Sequence, residues 1–143
     1  MNSPEAQVAT PSPAVAPDPQ LVSYTHVMYA LHALSILIGV TSAALVVTAF
    51  VAGLPSIIAV IMNYVRRSDA AGSYLGTHFR WQLRTFWFAL LAFMVMSVLA
   101  VPLVLTIILF PIAWAGFGAI GLWVIYRIAR GWLALRDGRA MYA

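Results

Sequence analysis

Two long runs of the chain carry no charged residue, Val27 to Val65 and Thr85 to Tyr126. The first ends in Arg66 and Arg67, the second in Arg127. Each run is roughly 40 residues, and a single helix of that length would reach about 60 Å, twice the ~30 Å hydrocarbon core of a bilayer. Each run must therefore fold back on itself. The expected fold is an all-α integral membrane protein with four transmembrane helices, arranged as two helical hairpins near 27–47 and 49–66, then 84–104 and 107–129. Gly53 and Pro55 fall early in the second span, and Pro102 and Pro111 bracket the turn between the third and fourth. A helix starting at Pro55 would be too short to cross before Arg66, so a kink or a short tilted span is expected there.

Composition agrees with the spans. Of 143 residues, 63% are hydrophobic and 8% charged, against roughly 25% charged in a soluble domain. All eight basic residues are arginine, and the acids are Glu5, Asp18, Asp69 and Asp137. In a soluble chain a net charge of +4 would raise nucleic acid as a partner. Here the arginines flank apolar spans, so membrane lipids with anionic headgroups are the expected partner, and nucleic acid is not. The absence of cysteine removes disulfides, thiolate metal sites and a cysteine nucleophile together. The amino end, MNSPEAQVATPSPAVAPDPQ, has no basic residue and no compact apolar core, unlike a secretory signal. Residues 1–22 are expected to be a disordered Pro/Ala-rich tail. The four-helix domain then covers 23–133, and 134–143 form a short tail.

Orientation follows from the arginines. With four spans, both termini and the central loop share one side. All eight arginines then lie on that side, between Arg66 and Arg84 and between Arg127 and Arg139. This is the positive-inside pattern, which makes that side, and both termini, cytoplasmic. The two halves also end alike, NYVRR at 63–67 and YRIAR at 126–130. The ordinary interfacial ending of a helix accounts for this better than a duplication does.

The polar chemistry concentrates in HFRWQLRTFW, residues 78–87. From Thr77 onward the pattern is helical, with Thr77 placed as the helix N-cap. His78, Gln82 and Thr85 then share one face, and Arg80, Arg84 and Trp87 another. Arg66, Arg67, Arg80, Trp81, Arg84, Trp87, Tyr126, Arg127 and Arg130 read as interfacial anchors that set helix depth. Trp123 with Arg127, and Tyr126 with Arg130, have the i,i+4 spacing for cation–π contacts. An anchoring belt does not require His78 or Gln82, which with His32 and Asn63 are the candidate binding or docking residues. His32, Ser35, Gly39 and Ser42 form a polar, small-residue stripe on the first span. Ala115, Gly118, Ala119 and Leu122 form a comparable face on the fourth, so the two spans are expected to pack together.

No catalytic constellation is legible. His26 and His32 point to different faces and His78 lies elsewhere, a poor set for haem ligation. His78, His32 and Asp69 have no metal-ligand spacing. There is no glycine-rich phosphate loop and no acid within the spans. No cofactor, metal or catalytic residue is assigned.

Three segments together carry a resemblance: YALHALSILIG in the first span, GLPSIIAVIMNYVRR in the second, and H-x-R-W-Q at the head of the third. Over about residues 24–132 the chain resembles a bacterial family of small inner-membrane proteins. That family is grouped with the chloroplast inner-envelope import component and the magnetosome proteins MamF and MmsF. His32 and His78 fall on the family's two histidine positions. The resemblance implies a four-span protein of the bacterial inner membrane, without an agreed activity. Its central loop has a single acid, Asp69, so mineral binding is not carried over. The expected role is non-enzymatic, through self-association as a homo-oligomer or with other membrane proteins. The alternative is a small transporter or channel component, motivated by His32, Ser35, Asn63, His78 and Gln82 lying toward one side.

Overall fold

The computed structural model describes residues 16–41, 46–105 and 110–141, with side chains for 16–39, 53–100, 102 and 111–141. Most of the 1–22 tail, Ser42 and the tips of both hairpins lie outside the described residues. The protein is all-helical, in the order α1 (Pro19–Thr41), α2 (Val46–Val65), α3 (Leu75–Leu105) and α4 (Phe110–Arg136). Three stretches, Pro19–Gly39, Leu75–Ala100 and Pro111–Arg136, are long and apolar enough to cross a membrane. α2 contributes a shorter apolar stretch, Gly53–Val65.

Helix starts and stops follow local chemistry. α1 begins inside the expected tail, at Pro19. Asp18 caps it, its Oδ1 accepting the Gln20 N–H at 2.9 Å, and Pro19 takes the first helical position, where a missing N–H costs nothing. α2 starts at Val46 and runs through Pro55 to Val65. α3 has 31 residues and also runs through its proline, Pro102. It starts at Leu75, nine residues before the expected span, and at ~1.5 Å per residue reaches about 46 Å, well beyond a ~30 Å core. Thr77 is not its N-cap. It lies within the first turn, where its hydroxyl donates to the Tyr74 carbonyl at 2.6 Å.

The end of α4 is a Schellman turn. Gly138 has φ +65°, its N–H bonds the Leu135 carbonyl, and the Arg139 N–H bonds the Ala134 carbonyl. An L-residue with a side chain resists that conformation, so Asp137–Gly138 stops the helix and turns the chain back. The expected free tail beyond 133 is thus partly helix and partly docked. Leu135 and Met141 are buried, and the Met141 N–H bonds Thr77 Oγ1 at 2.8 Å.

α1 packs chiefly on α2 and α3 on α4, and the two hairpins meet through α1–α4, α1–α3 and α2–α3. The core contains Leu21, Met28, Tyr29, Ala59, Phe79 and Ile128, with Ala70 and Leu75 from the α2–α3 connection. It sits at the end where α1 and α3 start and α2 and α4 finish. Along α3 from Phe86 to Ala100 no described side chain is buried. α1 and α4 do approach closely, but not through the expected small-residue face. Ala115, Gly118, Ala119 and Leu122 are exposed. The close approach is at Gly131, where a Cβ would lie 2.5 Å from the Tyr29 hydroxyl.

Candidate functional site

The four candidate polar residues all turn inward, and none is more than 5% exposed. In this polar knot Asn63, His78 and Gln82 bond between the two hairpins, whereas His32 bonds α2 within the first. The helical phase places them there. His78, Gln82 and Thr85 share the buried face of α3, while Arg80, Arg84 and Trp87 share its exposed face.

His78 is fully buried and uses both ring nitrogens. Nε2 lies 2.8 Å from the Arg139 carbonyl, which can only accept, so Nε2 carries the proton. In the neutral ring Nδ1 is then an acceptor, and the Tyr29 hydroxyl donates to it at 3.0 Å. Tyr29 and Tyr74 both meet the imidazole edge-to-face, with ring centroids 5.9 Å away. One side chain thereby joins α1, α3 and the segment after α4. His78 stands in a helix and bonds neighbours at every polar atom.

Asn63 joins α2 to α3. Its Nδ2 donates to the Phe79 carbonyl at 3.1 Å and reaches Gln82 Oε1 at 3.4 Å. His32 Nδ1 pairs with Ser56 Oγ of α2 at 3.0 Å. Among the described residues three buried atoms have no protein partner: His32 Nε2, Asn63 Oδ1 and Gln82 Nε2. A void of about 10 Å³ lies against His32 and Gln82, closed by Tyr29, Trp81, Thr85 and Ile128. That is room for about one water molecule.

The residues read as depth anchors divide in two. Arg67, Arg80, Arg84 and Trp87 face outward, Trp87 donating from Nε1 to the Tyr64 hydroxyl at 3.3 Å. Arg66 pairs with Asp69 and lies over the Tyr24 ring. Trp81 and Arg127 instead bind α3 to α4. Trp81 Nε1 donates to the Arg127 carbonyl at 3.0 Å. The Arg127 guanidinium stacks 3.6 Å from the Trp81 ring centroid, and its Nε donates to Thr85 Oγ1 at 2.8 Å. Both expected i,i+4 pairs form, Arg127 over Trp123 at 5.2 Å and Arg130 over Tyr126 at 5.9 Å.

Sequence reasoning missed Tyr29, Thr85 as the acceptor for Arg127, and the bond from Trp132 Nε1 to His26 Nδ1. It also missed the docking of Arg139 and Met141. The Asp-Gly pair after α4 was the available signal for that turn. Among the described residues no three His, Asp or Glu side chains converge as a metal site.

Searches for similarity to known proteins found no match to a protein-family model, a curated protein or a solved structure.

Proposed function

We propose that this chain is a non-enzymatic, four-span protein of the bacterial inner membrane, with both termini cytoplasmic, that acts by associating with itself or with other membrane proteins. The observation that carries this reading is the fate of its polar residues. His32, Asn63, His78 and Gln82 each bond across from one helix to another element, and the void beside His32 and Gln82 holds about one water. That chemistry suits a structural lock better than the small transporter or channel component that is the alternative. The apolar surface favours association. Met94, Val98, Trp114 and Leu122 are each at least 59% exposed on the second hairpin, and Gly118 has nothing packed where a Cβ would project. Exposed small residues on membrane helices permit close approach of another helix. The resemblance to the inner-membrane family with the import and magnetosome relatives supports the location and leaves the process open.

The test uses the absence of native cysteine. Single-cysteine variants at Ala115, Gly118 and Leu122 are expressed in cells and crosslinked in native membranes with a short bismaleimide. The expected result is a discrete dimer, or one heteromeric band, at some of these positions. Only monomer at all three, and at matched positions on α3, would refute association through this hairpin.

A further inference from the structure

The second hairpin carries a cationic cluster seated at the mouth of an apolar groove. Arg127 is held on three sides: over the Trp81 ring, bonded through Nε to Thr85, and beside Trp123. This fixes the guanidinium while leaving its terminal nitrogens without an acceptor among the described residues. Arg84 follows Trp81 by three residues on α3, its side chain exposed. Arg130 also lies 5.9 Å from the Trp81 ring. Among the described residues the ion pairs join Asp69 to Arg66, and Asp137 to Arg136 and Arg139, and none includes this cluster. Three cations thus gather without a counter-charge among the described residues, a cost that an anion relieves.

One helical turn deeper along each helix the surface becomes apolar. Phe88 follows Arg84 by four residues and Trp123 precedes Arg127 by four. These two aromatics open a groove of about 630 Å³ between α3 and α4, which continues past Leu91 and Val95 on one wall and Ala119 on the other. The geometry points to a bound anionic diacyl phospholipid, its phosphate on Arg127 with Arg84 and Arg130 flanking, and an acyl chain along the groove. Guanidinium is suited to phosphate through its fork of donors, and basic pockets between helices at the cytoplasmic face are where anionic headgroups are held. The charge cluster and the groove are separate observations that meet at the same depth. The proposal rests on the reading that the arginine end lies at the membrane surface.

The test adds equal amounts of phosphatidylglycerol and phosphatidylcholine, with matched chains, to the full-length protein in mild detergent. Native mass spectrometry reads the retained lipid. The expected preference for phosphatidylglycerol is roughly tenfold or more, the scale of one or two charged hydrogen bonds. Arg127→Gln and the double variant Arg84→Gln/Arg130→Gln should each abolish that preference. Ala92→Phe, which fills the groove without touching a charge, should reduce retention of both lipids. Arg67→Gln and Arg136→Gln remove the same charge at the same end and should leave the preference within about twofold. Equal retention of the two lipids overturns the site. So does an equal loss in the Arg67 or Arg136 variant, which would mean diffuse surface charge. Arg84 and Arg130 are exposed, so if Arg127→Gln misfolds by circular dichroism, the double variant and Ala92→Phe still decide. Alkaline carbonate extraction separates the two failures. A protein that washes off the membrane defeats the membrane reading, whereas one that stays integral without lipid preference defeats only the site.

Discussion

Tyr29→Phe removes one oxygen atom and tests the polar knot directly. The lost hydroxyl donates to His78 Nδ1 at 3.0 Å. The ring cannot simply change tautomer, because Nε2 must keep its proton for the Arg139 carbonyl at 2.8 Å. Nor can solvent replace the hydroxyl at once, since His78 is fully buried. Hydrogen bonds between membrane helices average only ~0.6 kcal/mol, because the separated helices find other partners. A buried acceptor left unpaired costs more, ~1–3 kcal/mol. With both ring nitrogens committed, the second figure governs, and the expected loss is about 1–2 kcal/mol. The assay is reversible unfolding of the detergent-solubilised protein followed by helical circular dichroism. A second comparison isolates the cause. Deleting residues 138–143 frees Nε2, so the ring can take whichever tautomer suits it. In that background Tyr29→Phe should cost less than half as much. Equal costs with and without the segment would refute the tautomer argument, and a cost below about 0.3 kcal/mol in the full chain would refute the lock itself.

Four further outcomes are expected. Gly131→Ala places a Cβ 2.5 Å from the Tyr29 hydroxyl and should destabilise by about 1–3 kcal/mol, whereas Gly118→Ala, with open space around it, should stay within about 0.5 kcal/mol; the same unfolding assay checks both. Gly138→Val forces a β-branched residue into φ +65° and should cost at least ~1 kcal/mol, with proteolysis after α4 accelerating as Met141 undocks. Asn63→Asp replaces the amide donor facing the Phe79 carbonyl with a carboxylate in a fully buried position, and should lose folded yield, while Asn63→Ala should lose only about 1 kcal/mol. Cysteines placed at Arg67, Gly72 and Ala140 should react with a membrane-impermeant maleimide only when the cytoplasmic face is opened; labelling in intact cells at any of them would invert the assigned topology.

The helical phase of α3 was legible because Arg80, Arg84 and Trp87 cannot share a face with His78 and Gln82 under a 3.6-residue period. Their separation into exposed and buried sets follows from the spacing alone. A helix start ahead of Pro55 was the expectation from length, and α2 does begin at Val46 and run through that proline. What escaped was the identity of partners. Nothing local in HFRWQ specifies that the partner of His78 is 49 residues before it, at Tyr29, or 61 residues after it, at Arg139. The same holds for Arg127. Its i,i+4 ring, Trp123, was visible in the spacing, but the closer ring is Trp81 on another helix. Small residues misled for a related reason. A stripe such as Ala115, Gly118 and Ala119 says that a close approach is permitted, and α1 makes its approach at Gly131 instead.

The docking of Arg139 onto His78 sets a schedule for biogenesis. The two residues are 61 apart. At roughly 5–20 residues per second of synthesis, about 3–12 s separate their appearance. During that interval the head of α3 exists without the carbonyl that its histidine needs, and without the backbone N–H that Thr77 will accept. The first hairpin can pair its own polar groups early, through Tyr24 with the Met62 carbonyl and His32 with Ser56. The second cannot be completed until α4 has formed and the chain has turned at Gly138. A ribosome stalled before that point would leave the Nε2 of His78 and the hydroxyl of Thr77 without the partners that residues 139 and 141 bring.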